Sequence, residues 1–112
     1  MNDRLKHAIK FASKLKRERP DRPGFIYIIG CHDFVKVGIS SDANWRLTQL
    51  QVGCPYELRL LARFTTQHAT RDEARLHALW KRYELRGEWF NVPAGELASA
   101  LNAATFDNIF DK

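Results

Sequence analysis

Residues 24 to 40 read GFIYIIGCHDFVKVGIS, and this stretch decides the fold. Two apolar runs, Phe25 to Ile29 and Phe34 to Ile39, are rich in β-branched and aromatic residues and flank a short Gly-Cys-His-Asp break. Such runs on either side of a turn are typical of a β-hairpin. The sequence therefore predicts two antiparallel strands joined by a turn at residues 30 to 33.

A loop closed by Gly30 and Asp33 would fix which residues face each other across this hairpin. In that register Tyr27 lies opposite Lys36. Opposed residues hold their Cβ atoms about 5 Å apart, close enough for the Lys36 ammonium to favour the phenolate form of Tyr27. The alternative is an ordinary half-exposed hairpin on which the lysine stem covers the aromatic ring.

The segments after the hairpin predict an α+β fold, in which a three-stranded antiparallel sheet is flanked by helices. We expect a helix over residues 43 to 51, a third strand over residues 57 to 65, a second helix opening at Thr70, a short strand or extended edge over residues 88 to 92, and a last helix over residues 94 to 103. Thr70 is followed three residues later by Glu73, which is a capping-box pattern. A capping glutamate needs no metal, so this pattern offers a purely structural role for Glu73.

A basic segment precedes the hairpin. Residues 1 to 23 contain eight Lys or Arg and three acidic residues, so they carry the whole net charge of +5. A helix in this segment, capped by Asp3, could run along a phosphate backbone or simply face solvent with its cationic residues Lys6, Lys10, Lys14 and Arg17. We divide the chain into a basic amino-terminal helix and linker (1 to 23), a main domain (24 to 104) and a carboxy-terminal tail (105 to 112).

The composition fits one small domain. The chain has 112 residues, of which 45% are hydrophobic, enough to fill a single core. We see no apolar run of membrane-spanning length and no signal-peptide pattern. Cys31 and Cys54 lack the spacing of a metal site, so a reduced pair is expected. We therefore expect a soluble cytoplasmic protein with no membrane partner, either a monomer or a homodimer.

Several polar residues follow one another in an order that carries chemical information. Tyr27 in the first strand is followed by K-V-G at residues 36 to 38, by Arg46 on the first predicted helix and by Glu73 on the second. The chain also contains E-x-x-x-H at residues 73 to 77 and G-E-W-F at residues 87 to 90. This ordered set resembles the GIY-YIG nuclease superfamily, in particular its small phage-type branch, where the second motif is often K-I-G.

Two positions depart from the family pattern. Phe25 stands where the family name has glycine, although Tyr27 is kept, and Lys36 stands where the better-studied members carry tyrosine. A mechanism that uses two tyrosines therefore does not transfer intact.

The resemblance implies a GIY-YIG-like fold and a metal-dependent endonuclease that hydrolyses phosphodiester bonds in DNA. Tyr27 would act as the general base with help from Lys36, and Arg46 would bind the scissile phosphate. Glu73 would hold a divalent ion, Mg²⁺ or Mn²⁺, and His77 would orient the substrate, the water or the tyrosine. Two further candidates are Glu88, as a second carboxylate near the metal, and Asn91.

Two other functions stay open. The lysine at position 36 favours a nucleic-acid-binding module that keeps the fold but has lost cleavage. The basic first segment also fits a protein-interaction or toxin-like module, for which DNA affinity would depend little on salt. Arg59 and Arg63, predicted on one face of the third strand, would add to a nucleic-acid surface. Cleavage that depends on Glu73 would separate the nuclease from both alternatives.

Overall fold

The computed structural model describes residues 21 to 111 and shows an α+β fold. The strands are β1 (Gly24–Cys31), β2 (Phe34–Ser40), β3 (Arg59–Thr66), β4 (Glu84–Arg86) and β5 (Trp89–Phe90). The α-helices are α1 (Ala43–Val52), α2 (Ala69–Leu79) and α3 (Ala94–Leu101), and two 3-10 helices span Lys81–Tyr83 and Asp107–Phe110. None of the helices within residues 21 to 111 is both long and apolar enough to cross a membrane. The predicted amino-terminal helix, with Lys6, Lys10, Lys14 and Arg17, lies outside the described residues.

The sheet is larger than the sequence predicts. All five strands join one antiparallel sheet in the order β3-β1-β2-β5-β4, so the expected three-stranded sheet is wrong. The two additional strands, β4 and β5, form a tight hairpin that contains Gly87, whose φ of 58° suits glycine. Strands of three and two residues are too short to show an alternating pattern, and β5 joins β2 from far along the chain.

The loop of the first hairpin is shorter than predicted. β1 continues to Cys31, which pairs with Phe34, so only His32 and Asp33 form the loop. His32 has a φ of 55°, the left-handed conformation that two-residue hairpin loops need at their first position. The predicted four-residue turn is therefore wrong, because a histidine adopts a conformation more typical of glycine or asparagine.

This loop decides which residues meet across the hairpin. Tyr27 lies opposite Gly38, and Lys36 lies opposite Ile29. The predicted pairing of Tyr27 with Lys36 is therefore wrong. The register differs from the predicted one by two residues, and side chains alternate with a period of two, so Tyr27 and Lys36 still share a face of the sheet.

A bulge in β3 changes which of its side chains share a face. Arg63 pairs with Tyr27, whereas Arg59 pairs with Gly30, and the register shifts between these two pairs. A bulge adds one residue to a strand and so reverses its alternation beyond that point. Arg59 and Arg63 therefore lie on opposite faces of the sheet, and the prediction that they share one is wrong.

Helices cover both faces of the sheet. On one face, Tyr27 and Ile29 pack with three residues of α1: Ala43, Leu47 and Leu50. The opposite face packs against α2, α3 and the last 3-10 helix through a larger cluster that includes Ile26, Ile28, Val37, Leu76, Trp80, Phe90, Ala100, Phe106 and Ile109. As a result, α1 and α2 lie on opposite sides of the first hairpin.

The start of α2 differs from the prediction and removes one proposed role of Glu73. The helix begins at Ala69, and its N-cap position is occupied by His68. Thr70 therefore lies within the first turn, and the predicted capping box of Thr70 with Glu73 is wrong. Glu73 lies in the interior instead, where its exposed fraction is 1%.

Asp72 connects α2 to the end of β3 and to the last 3-10 helix. Its carboxylate is buried and accepts hydrogen bonds from Thr66, Arg71 and Arg75. Arg75 also donates to Asp107, 2.9 Å away. Burial raises the pKa of Asp72, but the hydrogen bonds from Thr66, Arg75 and Arg71 outweigh it and hold this pKa below its ordinary value.

Replacing Asp72 by asparagine is expected to lower the free energy of unfolding by about 1 to 3 kcal/mol at pH 7, because several buried hydrogen bonds lose their charged acceptor. A carboxyl group whose pKa is lowered by folding stabilises the protein above its unfolded pKa of about 4 and loses that contribution as the pH falls further. Urea unfolding should therefore show that the free energy of unfolding of wild type exceeds that of Asp72→Asn by a smaller amount at pH 3 than at pH 7. The stabilising role of the Asp72 carboxylate would be contradicted if Asp72→Asn lowered the free energy of unfolding equally at both pH values. It would also be contradicted if Asp72→Asn lowered it no more than the exposed control Glu57→Gln.

Candidate active site

An open edge of β2 brings side chains from both faces of the sheet together. β5 pairs with β2 only at Val35 and Lys36, and the Val37 nitrogen then donates to the Glu88 carbonyl oxygen, 3.1 Å away. β5 therefore does not cover the remainder of this edge, from Gly38 to Ser40. Side chains that belong to different layers of the fold can meet there.

Tyr27 reaches this edge because Gly38 has no side chain. A Cβ atom at position 38 would lie well inside contact distance of the Tyr27 Oη and Cζ atoms and 3.0 Å from its Cε2 atom. The phenol ring thus lies directly over the glycine backbone. Tyr27 is only 1% exposed, so neighbouring atoms fix the ring in this position. The glycine of the K-V-G motif is therefore a packing requirement of the tyrosine.

Replacing Gly38 by alanine is expected to destabilise the fold by about 1 to 3 kcal/mol, because the buried Tyr27 ring must move to admit a methyl group. Gly95 is a matched control, since a Cβ atom there would meet nothing within 4 Å and alanine favours the helix that contains it. Urea unfolding should show a lower free energy of unfolding for Gly38→Ala than for wild type, and no decrease for Gly95→Ala. Equal stability of the two variants would mean that Tyr27 does not lie over Gly38.

The Tyr27 phenol lines a cavity of about 270 Å³ together with Ile39, Arg46, Glu73 and Glu88. Asp42 caps α1 by accepting from the Trp45 nitrogen, which places Arg46 in the first turn of that helix. Burial raises the pKa of the Tyr27 phenol most, a hydrogen bond from Arg46 lowers it, and the nearby negative charges of Glu88 and Glu73 raise it. The net pKa lies above the ordinary value of 10.0.

Glu73, His77 and Glu88 form a cluster beside this phenol. Glu73 and His77 are one turn apart on α2 and so point the same way, while Glu88 follows Gly87 in the β4–β5 hairpin. One ligand atom from each of the three residues lies within 4.8 Å of the other two. Two carboxylates and an imidazole at this separation match the donor types of a divalent-metal site.

Lys36 contacts this cluster through Glu88. Its ammonium lies 3.0 Å from Glu88 Oε2 and 5.8 Å from the centre of the Trp89 ring, and its side chain is 12% exposed. Arg46, and not Lys36, is the cation hydrogen-bonded to Tyr27. The structure thus places Lys36 as the partner of Glu88, where the sequence predicted a partner of Tyr27.

The other candidates lie outside the cavity. Asn91 is exposed after β5, and its backbone nitrogen donates to the Tyr83 carbonyl. Arg63 lies on the same sheet face as Tyr27, with its guanidinium 5.0 Å from the centre of the Phe25 ring. Arg59 is exposed on the opposite face.

The position of Glu88 beside Glu73 and His77 could not be predicted from the sequence. The sequence does indicate a turn, because Gly87 marks one and Glu88 follows it directly. What the sequence does not show is that this turn lies beside Val37, 51 positions earlier in the chain. Only the long-range pairing of β5 with β2 brings Glu88 to the cluster.

Comparison with known proteins identifies a family for most of the chain. The family model described as the T5orf172 domain matches residues 24–105. No curated protein and no solved structure matches the chain. The T5orf172 domain is a different family from GIY-YIG, for which no match is found, so the assignment to the GIY-YIG superfamily is wrong.

Proposed function

The chain belongs to the T5orf172 domain family, and we propose that it is a metal-dependent nuclease that hydrolyses phosphodiester bonds in DNA. The T5orf172 domain is a phage-type domain often linked to nuclease and DNA-binding activity. The observation that carries the proposal is the cavity in which Tyr27, Arg46 and Glu73 meet, although they come from a strand and two helices on opposite sides of the sheet.

Phosphodiester hydrolysis needs a base for the attacking water, and Tyr27 is suited to that role. Tyr27 lines the cavity, and its ring is held by packing over Gly38. The phenolate form of Tyr27 would accept a proton from water and become the neutral phenol as the new phosphorus–oxygen bond forms. Its raised pKa means that the phenolate is a strong base but a minor species near neutral pH.

Arg46 supplies positive charge for the phosphate. Its guanidinium lines the cavity and hydrogen-bonds the Tyr27 phenol, so a phosphate bound there lies next to the base. A planar guanidinium can donate two parallel hydrogen bonds to phosphate oxygens. Arg46 would therefore stabilise the negative charge that develops on the phosphoryl oxygens.

Glu73 is the residue that we propose to hold the divalent ion. It lines the cavity, and it belongs to the cluster whose ligand atoms lie within 4.8 Å of one another. A bound divalent ion would neutralise charge on the scissile phosphate and on the departing oxygen. A divalent ion would also reduce the repulsion between a phosphodiester and the carboxylates of Glu73 and Glu88 in this cavity.

The surroundings of the cavity fit a nucleic-acid strand. Ile39 also lines a second cavity of about 350 Å³, whose walls include Arg22, Ser40 and Thr70. A strand bound at Arg46 could therefore continue past Ile39 towards a further cation and two hydroxyl groups. Trp45, beside Arg46 on α1, is 60% exposed and could stack on a base.

Incubation of the purified protein with supercoiled plasmid, with Mg²⁺, with Mn²⁺ or with chelator, tests the proposal. We expect open-circular plasmid to accumulate only when a divalent ion is present. If plasmid, single-stranded DNA and RNA all stay intact while salt-sensitive DNA binding is retained, the protein is a binding module without nuclease activity.

A further inference from the structure

We infer that Glu73, His77 and Glu88 together form a site for a first-row transition-metal ion such as Mn²⁺, with the imidazole as a direct ligand. This inference deepens the proposed nuclease function and rests on it for the role of the ion. A glutamate alone would leave magnesium and manganese nearly equivalent. The nitrogen ligand is what would make the site selective.

The three side chains are held close together by separate parts of the fold. Their ligand atoms lie within 4.8 Å of one another. Ligands of one ion sit about 2.1 Å from it, so two of them are at most about 4.2 Å apart. That limit applies to two ligands on opposite sides of the ion, whereas ligands at right angles lie about 3.0 Å apart, so side-chain movements of about an ångström or more would bring all three onto one ion.

The hydrogen bond of His77 leaves one ring nitrogen suited to metal binding. The Nε2 atom lies 3.1 Å from the Val37 carbonyl oxygen, which can only accept, so Nε2 carries the proton. The Nδ1 atom of the neutral ring then holds the lone pair. Histidine ligands in metal sites commonly donate their other nitrogen to a backbone carbonyl in this way, which fixes the ring and its tautomer.

Packing also restricts the orientation of the imidazole. The His77 ring meets the Phe90 ring edge to face, with 5.2 Å between the ring centres. Phe90 is buried and belongs to β5, the strand that also positions Glu88. The hairpin of β4 and β5 thus places one ligand and orients another.

The charges of the cluster suit a divalent cation. Glu73 and Glu88 contribute two negative charges, and the Lys36 ammonium lies 3.0 Å from Glu88 Oε2. Glu73 is almost fully buried. A divalent ion between the two carboxylates would be attracted by both while Lys36 stays beside Glu88.

The donor set favours one class of ion. Magnesium prefers oxygen ligands and keeps several waters, whereas imidazole suits first-row transition metals. Two carboxylates with one imidazole match Mn²⁺, which accepts both donor types. We therefore expect tighter binding of Mn²⁺ than of Mg²⁺, and we expect the difference to depend on His77.

Electron paramagnetic resonance of Mn²⁺ tests this inference without measuring cleavage, since the signal of the free aqueous ion falls on binding. The full chain would be titrated with Mn²⁺ and then with competing Mg²⁺. We expect His77→Ala to weaken Mn²⁺ binding at least tenfold and to change Mg²⁺ competition less than threefold. Glu88→Gln, a change at a partly exposed position, should also weaken Mn²⁺ binding.

His68→Ala is the matched control, because His68 is exposed and bonds to Asp21 outside the cluster. Its Mn²⁺ affinity should equal that of wild type. The inference is overturned if wild type binds no Mn²⁺ at millimolar concentration, or if either His77→Ala or Glu88→Gln binds Mn²⁺ as tightly as wild type does. Mn²⁺ binding as predicted without any nicking would leave the metal site standing and refute only the nuclease.

Discussion

Replacing Tyr27 by phenylalanine is expected to slow plasmid nicking by about a hundredfold to ten-thousandfold, the range for removal of a general base. Phenylalanine keeps the ring that packs over Gly38, so the fold and the cavity should persist. Only the hydroxyl group that accepts the hydrogen bond from Arg46 is lost. The expected loss is therefore in the rate of cleavage, with DNA affinity unchanged.

The pH dependence of nicking gives this prediction a second readout. Burial raises the pKa of Tyr27, and the hydrogen bond from Arg46 opposes it only in part. Below that pKa the phenolate fraction increases tenfold with each pH unit, so the wild-type rate should rise by up to about tenfold per unit from pH 6 to 8. The Tyr27→Phe rate should lack this increase.

The exposed Tyr56 provides the control for the tyrosine substitution. Tyr56→Phe should nick plasmid at the wild-type rate and with the wild-type pH profile. If Tyr27→Phe stays within threefold of wild type at every pH, another group activates the water and the role assigned to Tyr27 is wrong.

The hairpin shows what alternation predicts and where it stops. Because side chains alternate with a period of two, the sequence correctly placed Tyr27 and Lys36 on one face. The register depended on the length of the loop. His32 adopts a positive φ there, which is uncommon for histidine and could not be predicted from its residue type. Because of this shorter loop, Tyr27 pairs with Gly38, which lies two positions beyond Lys36 in β2.

Local pattern analysis predicts a short strand or extended edge over residues 88 to 92, which contains β5, but it predicts neither β4 nor the hairpin that joins the two strands. Its strands have three and two residues, so neither shows a period, and its pairing with β2 links distant parts of the chain. The bulge in β3 could not be predicted locally either. Nothing in the alternation of residues 57 to 65 indicates that Arg59 and Arg63 lie on opposite faces of the sheet. Both the β4–β5 hairpin and the bulge in β3 depend on pairing between strands that are far apart in the sequence.

The candidate site was predictable to a greater extent than the sheet. Tyr27, Arg46 and Glu73 were selected from their order in the chain, and the structure places all three around one cavity. The family assignment that suggested them was wrong, because the T5orf172 domain is the family found. The partners of these residues, Gly38 under Tyr27 and Glu88 beside Lys36, required the three-dimensional fold.

Glu73→Gln is the second substitution with a large expected effect. Glutamine has the shape of glutamate but no charge, so the buried position on α2 should be filled as before. The divalent ion would lose a charged ligand, and the phosphate would lose the charge stabilisation that the ion supplies. We expect nicking to slow by about a thousandfold or more, with binding of DNA retained.

The proposed nuclease activity is tested most directly by the initial rate of plasmid nicking in Mn²⁺, measured for wild type and Glu73→Gln purified side by side, with Glu57→Gln as an exposed control. The predicted result is nicking by wild type and Glu57→Gln and a rate about a thousandfold lower for Glu73→Gln. Equal rates for wild type and Glu73→Gln, or no nicking by wild type, would contradict it.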